Sequence, residues 1–194
     1  YKDRLVDNSS EFENYLETIN RQIKDIEKLV NEFSNFARMP RPILKKIDII
    51  KLINKSLDFI KLTSKNSINL VKKTNNQFIN GDEDQLNRVF INLIKNSEES
   101  ISEHLQKDPN FKGNIDIEIA ANNDYIVIRI IDNGTGITDA KKAMTPYFTS
   151  KITGTGLGLP IVTKIINEHS GNFLIRNRQD KKGALVTITL PKYA

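Results

Sequence analysis

The 194 residues contain no cysteine and no tryptophan, only two histidines, six prolines and nine glycines. Without cysteine there is no disulfide, no thiol nucleophile and no thiolate metal centre, so a reducing compartment suits the chain. No apolar run approaches the ~18 residues of a membrane span. No charged n-region followed by an apolar h-region opens the chain, and it begins at Tyr1 rather than Met. Basic clustering is also missing. The net charge is +5, but pairs such as Lys45-Lys46, Lys72-Lys73 and Lys181-Lys182 are separated by acids. Without a groove of lysines and stacking aromatics, neither nucleic acid nor a membrane surface is an expected partner. Hydrophobic residues at 38% and charged ones at 27% suit a globular protein with a real core.

The first forty residues have one pattern. Phe12, Leu16, Ile19, Ile23, Ile26, Val30, Phe33 and Ala37 alternate spacings of four and three, a heptad seam. Tyr15, Leu29 and Phe36 widen the stripe. Ser10 with Glu13 reads as a capping box, placing the helix start at Ser10. Pro40 and Pro42 stop it near Met39. The expected organisation is therefore a dimerisation arm over 1–41 and a second domain over 42–194.

In the second domain, residues 47–50 suggest a short strand, and Leu52, Ile53, Leu57 and Ile60 a helix to about residue 63. Residues 67–72 and 77–80 alternate like two paired strands around the turn Thr74-Asn75-Asn76. A clear helix runs from Asp82 to about Glu103, followed by the strands NIDIEIA and YIVIRIID. Residues 133–155 form a long loop, a helix covers Leu157 to about Glu168, and GNFLIRN pairs with ALVTITLP. Strands and helices segregate without βαβ alternation, so the expected class is α+β: a sandwich of a mixed sheet with helices on one face.

Several short stretches carry chemistry. Asn92 and Asn96 lie one helical turn apart and offer amide oxygens to a hard cation such as Mg²⁺. Asp132 ends a strand and enters Asp-Asn-Gly-Thr-Gly, where a carboxylate can accept from an exocyclic amine. Gly134 and Gly136 let the backbone approach a flat base; alone, the same stretch is an ordinary turn. The long loop carries Tyr147, Phe148 and Lys151 and runs into Gly154-Thr155-Gly156-Leu157-Gly158-Leu159. Those glycines precede a helix whose N–H groups and dipole suit an anion. The spacing fits neither the Walker loop nor the dinucleotide fingerprint.

Taken in order, N-L-I-K-N, D-N-G-T-G, P-Y-F-T-S-K, G-T-G-L-G-L and K-G-A-L-V-T-I-T-L-P resemble the N, G1, F, G2 and G3 boxes of bacterial sensor histidine kinases. The helix end N-E-F-S-N-F-A-R-M-P-R-P resembles the second helix of that family's dimerisation hairpin, most like the nitrogen-regulation NtrY-type kinases. The resemblance implies a Bergerat-type (GHKL) ATP-binding fold preceded by a dimerisation helix around residues 10–39. It implies ATP and Mg²⁺ as cofactors, a homodimer, a response-regulator partner and a cytoplasmic site of action, any membrane anchor lying upstream. Asn96 would hold Mg²⁺ with Asn92 in support, and Lys151 would approach the terminal phosphates. Asp132 would take the adenine amine beside Gly134, Gly136 and Ile137. Tyr147, Phe148, Gly154, Thr155, Gly156, Gly158 and the anchoring Leu157 and Leu159 would form the lid, with Thr187 completing the ATP-binding set.

Two departures stand out. Ser97 follows Asn96 where the family has Ala. Neither His104 nor His169 stands in a context resembling the acceptor motif H-E-I-K-N-P, so the acceptor is expected upstream of Tyr1. Related ATPases of the gyrase, mismatch-repair and Hsp90 types carry a Glu as general base where this chain has Asn92, which favours a kinase over a hydrolase. A nucleotide-binding dimeric scaffold and a serine kinase of the same fold are the competing readings.

Overall fold

A computed structural model describes residues 2–75, 77–149 and 154–193. Helix α1 spans Lys2–Ala37. Ser10 is therefore an interior residue and not the helix start. Leu5 lies one heptad before Phe12, so the seam and the helix continue upstream of the Ser10/Glu13 pair. Strand β1 (Lys45–Asp48) leads into α2 (Ile49–Lys61), and the Asp48 side chain caps α2 by accepting from the N–H groups of Ile50 and Lys51. The expected strand at 47–50 thus ends early, because Asp48 is an N-cap and Ile49 and Ile50 start a helix.

Strands β2 (Ser67–Lys72) and β3 (Phe78–Gly81) follow, then α3 (Glu83–Leu105), capped by Asp82. Strands β4 (Asn114–Ala121) and β5 (Tyr125–Asp132) form a hairpin, and a one-turn helix α4 (Ala140–Ala143) interrupts the long loop. Helix α5 (Gly158–Glu168) and the strand pair β6 (Asn172–Asn177) and β7 (Ala184–Pro191) complete the chain.

The main sheet has the order β2-β4-β5-β7-β6, antiparallel except for the parallel pair β2–β4. The expected β2–β3 hairpin does not form. Strand β3 instead pairs antiparallel with β1, bringing Ile79 opposite Ile47. Alternation fixes which face of a strand is apolar but not which strand it pairs with. Asn76, in the turn expected between them, lies outside the described residues.

Ile115, Ile117 and Ile119 of β4, Ile126, Ile128 and Ile130 of β5, and Val186, Ile188 and Leu190 of β7 point to one buried layer. Leu86, Val89, Phe90, Leu93, Ile94 and Ile101 of α3, with Leu52, Ile53 and Leu57 of α2 and Ile161, Val162 and Ile165 of α5, close it. All three helices cover that face, as expected of an α+β sandwich. The other face carries polar pairs such as Lys73–Glu118 at 2.8 Å.

Helix α1 stands apart from this core. Phe12, Leu16, Ile19, Ile23, Ile26 and Val30 all remain exposed along it. Its last turns touch the second domain: Phe36 packs on the core, and the Lys164 ammonium donates to the Phe36 carbonyl at 3.3 Å.

Candidate functional site

Strand β5 delivers Asp132 to the sheet end facing α3, where its side chain is 4% exposed. One oxygen, Oδ1, accepts from the Gly134 N–H at 2.9 Å and the Ala184 N–H at 3.2 Å. The other, Oδ2, receives, among the described residues, the Ser97 hydroxyl alone, at a long 3.4 Å. Burial pushes the carboxyl above its ordinary range, against the opposing pull of these three hydrogen bonds and the Arg178 charge. A buried carboxylate with one oxygen nearly unengaged is an acceptor awaiting a donor.

The surrounding backbone is tight. A Cβ on Gly134 would stand 2.6 Å from the Ser100 carbonyl carbon, so the turn lies directly on α3. Gly183 has φ +125°, and a Cβ there would meet the Asp132 carbonyl oxygen. Gly136, at φ +81°, is followed by Ile137, whose N–H and C=O are both held at 2.7 Å by the Asn177 amide. The Asp132–Ile137 wall is thus clamped between α3 and the β6–β7 connection.

Asn92, Asn96 and Ser100 fall at successive turns of α3, beside its apolar stripe. Asn92 Nδ2 donates to the Arg88 carbonyl at 2.9 Å, which leaves Oδ1 outward, 3.7 Å from where a Cβ on Gly158 would stand. Among the described residues no group of three or more His, Cys, Asp or Glu side chains could hold a metal. The available donors are neutral amides, which fit Mg²⁺ arriving with a polyphosphate that supplies the charge.

The glycine-rich stretch is held at both ends. Leu157 is fully buried and Leu159 packs against the core. Helix α5 starts without a side-chain cap, so its first N–H groups face outward beside Asn92. Gly156 has φ +68° and carries Tyr147 and Phe148 on its surface: the Tyr147 N–H donates to the Gly156 carbonyl at 3.1 Å. Tyr147 itself has φ 67°, and its ring approaches Phe33 of α1 at 6.3 Å between centroids. The Thr155 hydroxyl donates to the Glu32 carboxylate of α1. Gly154 lies within the described part of this loop, whereas Lys151 lies outside the described residues.

One expected site residue is placed elsewhere. Thr187 alternates with the buried Val186 and Ile188 of β7 and pairs with Arg129, so it lies on the sheet face away from the helices. Counting along the strand at period two makes this unavoidable. Ala184, three residues closer to Gly183 along the same segment, is the residue of this strand that reaches Asp132. The sequence reading also missed Ser97 as a partner of Asp132, Asn177 as a clamp, and Glu32 with Phe33 as contacts of the loop. Only Ser97 carried a signal, as a hydroxyl where the resemblance calls for Ala.

Both histidines make packing or backbone contacts. His169 is 4% exposed; its Nε2 accepts from the Asp82 N–H at 2.9 Å and its Nδ1 lies 2.8 Å from the Ile165 carbonyl. His104 stacks on Phe111 at 3.9 Å with an 11° interplanar angle.

Residues 81–194 match the family described as histidine kinase-, DNA gyrase B-, and HSP90-like ATPase. The chain is 37% identical over 186 residues to an NtrY-like sensor histidine kinase of Rickettsia prowazekii, covering 94% of this chain and 30% of that protein. It is 32% identical to the nitrogen regulation protein NtrY of Azorhizobium caulinodans, covering 92% of this chain and 23% of that protein. The chain therefore spans less than a third of these relatives. The catalytic domain of histidine kinase ThkA superposes with a TM-score of 0.66 at 24% identity, over 77% of this chain and 95% of that one. ThkA solved in complex with the response regulator TrrA gives 0.73 at 20% identity, over 92% of this chain and 51% of that one. These two likenesses show a shared fold.

Proposed function

Because the chain belongs to the histidine kinase-, DNA gyrase B-, and HSP90-like ATPase family, we propose that it is the ATP-binding kinase portion of an NtrY-type two-component sensor histidine kinase. It donates the ATP γ-phosphate to a histidine other than its own two, for relay to a response-regulator aspartate. The observation that carries this reading is Asp132, a buried carboxylate at a strand end whose Oδ2 holds one long hydrogen bond, from Ser97, and has room to accept from the adenine amine.

The other parts of the reading rest on the resemblance in sequence order, with the geometry of the described residues in support. Gly134, Gly136 and Ile137 form a wall thin enough for a base to lie against. Asn96, supported by Asn92, holds Mg²⁺, which when bound neutralises phosphate charge. The N–H groups at the start of α5, with Gly154, Gly156 and Gly158, receive the phosphates, and Lys151 neutralises the terminal one. Phosphoryl transfer needs positioning and charge stabilisation more than covalent chemistry, and this site is built of such groups. The exposed apolar seam of α1 is the homodimer surface. No helix among the described residues is long and apolar enough to cross a membrane, in keeping with action in the cytoplasm.

The test is transfer in trans. With Mg²⁺ and γ-labelled ATP, the chain is offered a separate polypeptide carrying a histidine-bearing dimerisation helix of an NtrY-type kinase. Acid-labile, alkali-stable label on that polypeptide is the expected result. Demonstrated ATP binding without any label would replace the kinase with a nucleotide-binding scaffold.

A further inference from the structure

Ser97 is a buried hydroxyl of α3 that faces the base wall, and like its half-buried neighbour Ser100, which meets Thr135, it bonds across that interface. Ser56 and Ser102 donate back to the carbonyl four residues earlier in their own helices, at 3.0 and 2.9 Å. That is the default for a serine inside a helix. Ser97 is 4% exposed and directs its hydroxyl across the interface to Asp132 Oδ2 instead. At 3.4 Å the contact is too long to occupy either atom fully. The hydroxyl can therefore turn to a better acceptor when one arrives. The result is a donor and an acceptor side by side where the end of β5 meets α3.

On the proposed ATP-binding reading, we infer that the Ser97 hydroxyl is a base-reading group that donates to ring nitrogen N1 of adenine while Asp132 accepts from the neighbouring amine. The pair matches the edge of a 6-aminopurine, which presents a donor amine next to an acceptor nitrogen. A 6-oxopurine reverses both, with a carbonyl facing the carboxylate and an N–H facing the hydroxyl. Discrimination against guanine and hypoxanthine falls to Asp132, which would face the 6-carbonyl with no donor; Ser97, a hydroxyl that can also accept, contributes affinity through N1 of adenine.

The experiment compares three triphosphates by calorimetry with Mg²⁺: ATP, 1-deaza-ATP, which lacks the ring acceptor, and purine riboside triphosphate, which lacks the amine. The intact chain should prefer ATP to 1-deaza-ATP roughly three- to tenfold, the range of one neutral hydrogen bond. In Ser97→Ala that preference should fall below about twofold, while the preference for ATP over purine riboside triphosphate persists. Ser97→Thr, which retains the hydroxyl, should restore the first preference. An intact chain that does not discriminate 1-deaza-ATP overturns the inference. So does a Ser97→Ala chain that loses both preferences together, since Ser97 would then only prop Asp132. An intact chain that binds none of the three overturns the ATP-binding reading itself.

Discussion

Asp132→Asn separates recognition from folding, because the two depend on different oxygens of one side chain. The amide is nearly isosteric with the carboxylate. Its oxygen can still accept from Gly134 and Ala184, the bonds that tie β5 to the turn and to β7. Its nitrogen then replaces Oδ2 and presents a donor to the adenine amine, itself a donor. The lost charge-assisted bond is worth about 1.5–3 kcal/mol, so ATP affinity should fall roughly tenfold to a hundredfold. Stability should move the other way. The folded carboxyl titrates above its ordinary value because burial disfavours the charge. A raised folded pKa gives stability that is present below the unfolded value and lost as pH rises through the folded value. At neutral pH the ionised Asp132 is therefore a cost to folding, and the neutral Asn should melt at the same or a higher temperature. In the parent chain ATP binding should weaken as pH falls through the raised value, whereas the variant should stay flat over that window. Calorimetric titration and melting as a function of pH, from neutral down through the ordinary carboxylate range, measure both. Unchanged affinity in the variant would refute the role of Asp132, and a melting point several degrees lower at neutral pH would refute the electrostatic reasoning.

Three further substitutions or deletions probe the supports of this site. His169→Ala strands the Asp82 N–H at the start of α3, costing about 1–3 kcal/mol beyond the cavity it leaves; a urea midpoint equal to that of the parent would contradict this, and His169 should never carry phosphate. Gly183→Ala meets both a positive φ and the Asp132 carbonyl, so about 1–3 kcal/mol of strain and weaker ATP binding should appear together in melts and titrations; a neutral effect on both would mean the loop yields freely. Removal of residues 1–39 should convert a dimer to a monomer by sedimentation while ATP affinity stays within a few-fold, because α3, β5 and β7 supply the base pocket; a dimer that survives would place the interface elsewhere.

The core was legible because it is local. The apolar residues of α3, β4, β5 and β7 that keep one period are buried as that period requires, while Val127, Ile131 and Leu185 fall on the other face and stay half-buried. Pairing was less legible: β2 alternates as well with β4 as with β3, and only the closed fold selects the parallel partner. In the site, Asp132 and Gly134 were readable because chain order puts them at a strand end before a turn. Thr187 was misplaced since a motif match counts residues, whereas a strand sorts them alternately to two faces. Glu32 and Phe33 could not be foreseen. They meet Thr155 and Tyr147 across more than a hundred residues of chain, and nothing in either segment names the other.

Among the described residues, the side chain that Gly158 faces is the Asn92 amide and not a carboxylate, which bears on what such a site does with ATP. Asn92 cannot take a proton from water, and its Nδ2 is committed to the Arg88 carbonyl. The group turned toward the phosphate-side loop is thus an amide oxygen, able to orient a ligand but not to act as a base. Under the proposed function a bound nucleotide keeps its γ-phosphate until an external nucleophile arrives. The nearest acidic side chain the structure joins to the loop, Glu32, is engaged by the Thr155 hydroxyl and belongs to α1 rather than to the pocket floor. Asn92→Glu is the corresponding perturbation: it restores a carboxylate one turn from Asn96 and should raise steady-state phosphate release in a coupled assay without abolishing ATP binding. If phosphate release in the variant equals that of the parent while ATP still binds, a carboxylate at that position is not what separates transfer from hydrolysis here.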